Sequence, residues 1–288
     1  MSNYVIFADS GCDMTPETLK EWGINYASLI YRFENENREY LNGDQPSKEF
    51  YDRMREGAVA ATSAVNFETF KTSFRSVLLT GDDLLYIGFS SGLSTTYNSA
   101  RLAAEELREE FPERKILTVD SLAASAGYGM LLYLAKEKKA EGATIEEVAE
   151  YIDKIKFNLC HWFTVDDLKY LKRGGRISPT VALVGSLLGI KPILHVDNEG
   201  HLINVTKVRG RQAALAALAD KMGELSKSKP AGPVFICNGD CQQDVETLKK
   251  LVNEKYGLPV DMVVDTGAVI GAHSGPGTIA LFFLGEER

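Results

Sequence analysis

Short, almost wholly apolar runs alternate along the chain with longer stretches in which apolar residues recur every three or four positions. The runs YVIFA (4–8), LLYIGF (84–89) and KILTVD (115–120) have the length and the β-branched and aromatic content of buried strands. Between them SKEFYDRMREG, NFETFKTSFRSVLL, STTYNSARLAAEELREEF and the segment 123–140 read as helices. Two starts are marked locally: Thr15-Pro16 puts a capping hydroxyl before a proline, and Thr144-Ile-Glu-Glu147 is a capping box opening a helix to about Asn158. This alternation predicts a mostly parallel sheet with helices on both faces.

Past residue 158 the order loosens. CHWFTV (160–165), PVFIC, VDMVV and IALFFL read as strands, and 180–189, 210–227 and 242–256 as helices. KPILHVDNEGHLINVTKV reads as two strands joined by a turn at Asp197-Asn198-Glu199-Gly200. The expected fold is therefore α/β with two α/β lobes. An N-terminal lobe, 1–158, has a mostly parallel sheet, a C-terminal lobe, 159–288, has a mixed sheet with helices, and a ligand cleft lies between them. No repeat or low-complexity linker is present; SKSKPAGP (226–233) is the most loop-like stretch and falls inside the second lobe.

Composition narrows the class. The longest apolar runs fall short of the ~20 residues of a bilayer span, and MSNYVIFADS has no basic stretch ahead of its apolar one, so the expected location is the cytoplasm. A net charge of −8 argues against nucleic acid as the main partner and makes local basic clusters informative. These are Lys169, Lys172, Arg173 and Arg176 around Gly174-Gly175, and Lys207, Arg209 and Arg211. The spacing of Cys237 and Cys241 suits neither a redox pair nor a zinc knuckle, and all four cysteines are expected to be reduced. The four histidines are not spaced as a metal site, and no G-x-x-x-x-G-K-[ST] phosphate loop is present.

Four polar or glycine-rich turns stand where strands should end. Asp9-Ser10-Gly11-Cys12-Asp13 is a candidate pocket wall. Ala61-Thr62-Ser63-Ala64-Val65-Asn66 and the stretch from Gly88 to Thr96 hold hydroxyls at helix starts, where free amides and the helix dipole favour an anion. Gly271-Ala272-His273-Ser274-Gly275-Pro276-Gly277 holds a histidine in a backbone free to adopt positive φ. Residues 88–92 also spell G-x-S-x-G between a strand and a helix, so Ser90 with His273 is a candidate serine-hydrolase pair.

In order along essentially the whole chain, Asp9-Ser10, Thr62-Ser63, Ser90-Ser91-Gly92-Leu93-Ser94 with Thr96-Tyr97, Val119-Asp120-Ser121, LKYLKRGGRIS and the Gly271–Gly277 segment resemble the DegV family. The resemblance implies two lobes enclosing a long-chain fatty acid, in a carrier subunit of FakB type rather than an enzyme in its own right. Such a subunit presents the carboxylate to a separate ATP-binding fatty acid kinase subunit and then carries the acyl phosphate toward phospholipid synthesis. Carried over by position, Thr62 and Ser94 would hold the carboxylate beside His273, with Ser63, Ser91, Thr95 and Gly271 around it. Arg173, Arg176 and Arg209 would contact the kinase or the phosphate. No cofactor other than the bound acid is implied, and membrane contact would be transient, for acyl exchange. The sequence departs from the family pattern at Ala64-Val65-Asn66, where Gln-Pro-Ser is usual, and at Thr95, where glycine is usual. The alternatives are the hydrolase, and a carrier of another amphipathic acid with no kinase partner.

Overall fold

The structure, a computed structural model, describes residues 3–178, 189–226 and 232–288. The helix expected over 180–189 falls, but for Gly189, outside the described residues, as does the middle of SKSKPAGP. The first half contributes strands β1 (Tyr4–Asp9), β2 (Ile24–Ala27), β3 (Ile30–Phe33), β4 (Tyr40–Leu41), β5 (Ala60–Ser63), β6 (Asp83–Gly88) and β7 (Ile116–Asp120). Its helices are α1 (Pro16–Glu21), α2 (Ser47–Arg55), α3 (Phe67–Leu79), α4 (Thr96–Glu110), α5 (Ser125–Ala140) and α6 (Ile145–Ile155). Strands β2, β1, β6 and β7 form, in that order, a sheet whose pairs are all parallel.

Alternation along each strand decides what covers each face. Ile6, Ala8, Leu85 and Ile87 pack with α5 and α6, whereas Phe7, Leu84 and Tyr86 pack with α3 and α4. Both faces are therefore buried, and β6 is apolar or buried at every position. The two caps read from sequence are in place, Thr15 accepting from the Thr18 N–H and Thr144 with Glu147 closing a reciprocal capping box, and Asn66 adds another by accepting from the Thr69 N–H.

The second half contributes β8 (Leu159–Thr164), β9 (Ile190–Val196), β10 (Leu202–Arg209), β11 (Phe235–Asn238), β12 (Met262–Asp265) and β13 (Ile279–Leu284). Its helices among the described residues are α7 (Lys169–Arg173), α8 (Arg211–Leu225), α9 (Gln242–Tyr256) and α10 (Ala268–Ser274). The sheet order is β10-β9-β8-β13-β11-β12, with β11 and β12 parallel and the other pairs antiparallel, so the expected mixed sheet and the β9–β10 hairpin are both present. One face packs on α8 and α9 through Trp162, Ile236 and Leu281. The other, with Phe163, Leu194, Phe235 and Phe282, joins the same core as the first sheet's Ile6 and Leu85.

Helix α5 makes that continuity. Apolar residues surround it, and Met130, Leu131, Leu132 and Ala135 are fully buried, as a helix lying between two sheets requires. Its Tyr128 hydroxyl donates to the Ile87 carbonyl and accepts from the Asp9 N–H at 3.0 Å, fixing it to the first sheet.

Two segments read as turns are regular structure. Thr62 and Ser63 end strand β5, which with β3 and β4 forms a small antiparallel sheet. His273 stands on helix α10, not in a glycine loop; the positive φ values belong only to Gly275 and Gly277, beyond the helix end.

Candidate ligand-binding site

A cavity of about 480 Å³ lies between the inner face of the second sheet and the carboxyl ends of β5, β6 and β7. Phe163, Ala280 and Phe282 of the second sheet form one wall, Phe89 and Leu93 another, and Val269 and Ile270 of α10 a third. Of the residues singled out in the sequence, Thr62, Ser63, Ser91, Ser94, Thr95, Arg176 and His273 line it. Gly271 does not. A Cβ there would stand 2.5 Å from the Tyr51 hydroxyl, so this glycine lets α10 lie against α2. Arg173 and Arg209 are exposed, outside the wall, and make no ion pair among the described residues.

The polar groups gather in one place. Thr62 Oγ1 lies 2.8 Å from His273 Nε2, and Ser94 Oγ lies 2.9 Å from Thr96 Oγ1 and accepts from the Thr96 N–H. Arg176 donates through Nε to the Leu93 carbonyl at 3.2 Å and through Nη1 to that of Gly174. Burial, and then the positive charges of Arg176 and Arg173, push the His273 pKa down to about 4, so its imidazole is neutral at neutral pH. Burial also lowers the pKa of Arg176, which forms no ion pair among the described residues. A half-buried guanidinium without a counter-ion, beside two hydroxyls and a neutral imidazole, is a site built for an anion.

Backbone geometry makes room for this cluster. A Cβ at Gly174 would collide with His273 Nδ1, so Gly174 lets α7 approach α10 closely, while Gly175 takes a φ of 70°. In sequence this Gly-Gly pair marks only the centre of a basic cluster; its steric part has no local signature. Arg211, from the other basic cluster, is likewise structural: it bonds Asp244 and donates to the Gly277 carbonyl at 2.6 Å, holding the loop after α10.

The remaining candidates face elsewhere. Ser90 is buried outside the cavity wall; its hydroxyl donates to the Gly200 carbonyl at 2.9 Å and accepts from the Gly92 N–H. His273 bonds Thr62 instead, so the nucleophile–base hydrogen bond that a hydrolase requires is not formed. The first turn does not reach the cavity either. Asp9 accepts from the Gly11 and Phe89 N–H groups at 2.9 Å each and from the Tyr86 hydroxyl at 2.7 Å, and burial pushes its pKa up to about 6. Ser10 accepts from the Leu29 N–H.

Comparison with known proteins fits this geometry. The family model described as "Uncharacterised protein, DegV family" matches residues 3–286. The chain belongs to the DegV family. A DegV domain-containing protein of Clostridium perfringens is 42% identical over 290 residues, covering 100% of this chain and 99% of that relative. Among solved structures, a DegV family protein from Thermus thermophilus, described by its fatty acid binding, has a TM-score of 0.88 at 30% identity over 99% of this chain and 100% of its own. A DegV lipid binding protein from Thermotoga maritima gives 0.86 at 31% identity over 99% of each chain. The α/β architecture described above is thus that of the DegV fatty-acid-binding structures, and no helix among the described residues is long and apolar enough to cross a membrane.

Proposed function

We propose that this DegV chain is a carrier that holds a long-chain fatty acid in the cavity, its carboxylate at Thr62, Ser94, His273 and Arg176. The observation that carries the reading is the Arg176 guanidinium, without an ion pair among the described residues, set beside the Thr62–His273 pair at a cavity whose other walls are mainly apolar. Burying about sixteen methylenes at ~0.8 kcal/mol each has an upper bound near ~13 kcal/mol, well above the association cost of several kcal/mol. The carboxylate cannot enter an apolar enclosure unpaired; the Thr62 and Ser94 hydroxyls and the Arg176 guanidinium supply the donors it needs, with His273 Nε2 orienting the Thr62 hydroxyl. The fatty acid binding described for the Thermus thermophilus protein and the lipid binding described for the Thermotoga maritima one support the same ligand class.

In this reading the carrier works with a separate ATP-binding kinase subunit in the cytoplasm. One carboxylate oxygen attacks the γ-phosphorus of ATP, the new O–P bond forms as the bond to ADP breaks, and the acyl phosphate stays bound. Such a transfer depends on positioning and charge stabilisation. The exposed Arg173 and Arg209, which make no ion pair among the described residues, are suited to meet an acidic surface of the partner or the phosphate. Residues 1–158 and 159–288 act as the two lobes, and acyl exchange takes place in transient contact with a membrane.

The test is mass spectrometry of an organic extract of the purified protein, followed by incubation with ATP and the kinase subunit. Near-stoichiometric fatty acid and its phosphorylation support the carrier; a folded protein whose extract contains no acid refutes it. His273→Ala should slow phosphorylation by roughly ten- to a hundredfold, the range of lost charged hydrogen bonds, with the fold retained. Unchanged turnover would remove His273 from the head-group site.

A further inference from the structure

We infer that Asn42, supported by Asp13, is a positioning residue for His273: it caps helix α10 from a distant part of the chain and so sets where the imidazole stands. The inference rests on the head-group reading above. Helix α10 carries His273 near its end and places Val269, Ile270 and Ser274 on the cavity wall. Its N-cap is Gly267, which has no side chain with which to satisfy the first-turn amides.

Asn42 supplies the missing acceptor. Its Oδ1 accepts from the Val269 N–H at 3.1 Å, while its Nδ2 donates to the Ser10 carbonyl at 2.8 Å. The side chain is held at both ends, so it ties α10 to the turn that follows β1. Asp13 lies alongside. Its Oδ2 accepts from the Ser125 hydroxyl at 2.5 Å, while Oδ1 is buried without a hydrogen-bond partner among the described residues. A Cβ at Gly267 would stand 2.7 Å from Asp13 Oδ1 and 2.8 Å from Asn42 Oδ1, so the helix start is close-packed on both side chains.

Backbone conformation points to the same junction. Asp13 and Ser125 have φ of 57° and 52°, a region non-glycine residues rarely occupy, and they meet where the cavity wall and α10 converge. Tyr51 of α2 donates to the Thr266 carbonyl at 2.8 Å, so this anchor of α10 also comes from the first half of the chain. Val269 lies one helical turn, about 6 Å, from His273, close enough for a slip at the cap to move the imidazole away from Thr62. The apolar wall on the second sheet would be left intact.

The test compares palmitic acid with cetyl alcohol, which share one alkyl chain and differ in the head group. Affinities are measured by displacement of a fluorescent fatty acid from the full chain, with circular dichroism as the check on folding. Asn42→Ala should lower affinity for the acid about tenfold, the size of a lost helix cap, and change that for the alcohol less than about twofold. Asn42→Asp, which keeps an acceptor for the Val269 N–H but loses the donor to the Ser10 carbonyl, should recover only part of the loss. Gly267→Ala, which wedges the same contact from the other side, should reproduce it and stands in if Asn42→Ala does not fold. Equal losses for acid and alcohol, or none, while His273→Ala loses the acid selectively, would overturn the positioning role alone. A His273→Ala protein that keeps the wild-type preference for acid would overturn the head-group reading, and this inference with it.

Discussion

Around Ser90 the two halves of the chain are riveted together, whereas around Thr62 they leave a cavity whose polar groups have no counter-ion among the described residues. At the first place the Ser90 hydroxyl donates to the Gly200 carbonyl, Gly92 lies against the backbone of Glu199 and Gly200, and Arg288 Nη1 donates to the Leu122 and Asp197 carbonyls at 2.8 Å each. Each of these donors is spent on a carbonyl of the protein itself. At the second, Thr62 and His273 bond each other and, among the described residues, Arg176 donates to carbonyls and pairs with no carboxylate, so positive charge is left over at the cavity. Both regions bring serine or threonine into the junction. What separates a rivet from a recognition site is whether these groups face the protein's own carbonyls, as Ser90 and Arg288 do, or line a cavity, as Thr62, His273 and Arg176 do.

The largest effects should come from exchanging these roles. Removing both hydroxyls with Thr62→Ala and Ser94→Ala should weaken fatty acid binding by about a hundredfold or more, since hydrogen bonds to a charged group contribute about 1.5–3 kcal/mol each. Ser90→Ala should leave affinity within about twofold and lower the unfolding free energy by about 1–3 kcal/mol, because the buried Gly200 carbonyl loses its donor. Ligand titration and urea unfolding on both proteins measure the contrast. If the double variant binds normally and Ser90→Ala does not, the two regions have been assigned the wrong way round.

The sequence carries this division only in part. Long strands and capped helices are legible because their signals are local: the capping box at Thr144 and the run at 84–88 need no tertiary partner. Strands β3, β4 and β5 are two to four residues long, too short for periodicity to register, so Thr62 reads as part of a turn. The glycines around His273 suggest a loop, yet Gly271 packs on Tyr51 and the helix persists to Ser274. The motif at 88–92 looks catalytic because strand, turn and serine fall in the right order. Only the hairpin carbonyl of Gly200, 110 residues away, shows the hydroxyl to be a tether. The junction of Asn42, Asp13 and Gly267 has no local signature, being made of residues remote in the chain.

The comparison can be sharpened through charge. Burial pushes the pKa of Asp13 up to about 7 against Ser125 and the start of α10, and that of His273 down to about 4. A carboxyl raised above its unfolded value of about 3.9 holds its proton more tightly in the folded state, so its contribution to stability falls as pH rises from about 4 to 7. A depressed histidine does the reverse, losing stability as pH falls from about 6.5 to 4. The two therefore oppose each other in the overlapping window, and a variant is needed to separate them. Asp13→Asn should gain stability relative to wild type by about 2 kcal/mol between pH 5 and about 7.5, levelling off above that. Urea unfolding at several pH values measures the difference. A constant offset across the range would mean that Asp13 does not titrate at this junction.

The smallest effect is expected at the rim. Thr95 lines the cavity but sits at the helix start with φ −75° and ψ −2°, and its side chain makes no capping hydrogen bond. Its backbone thus needs no glycine, and its hydroxyl is not part of the Thr62–His273 contact. Thr95→Gly should cost about 0.5–1 kcal/mol of stability through backbone entropy and change fatty acid affinity by less than about threefold, a shift of under ~0.7 kcal/mol. Calorimetric titration with the acid and thermal unfolding read the two effects separately. A tenfold change in affinity would extend recognition past the cluster of Thr62, Ser94, His273 and Arg176 into the first turn of α4, where free amides as well as side chains would then face the carboxylate.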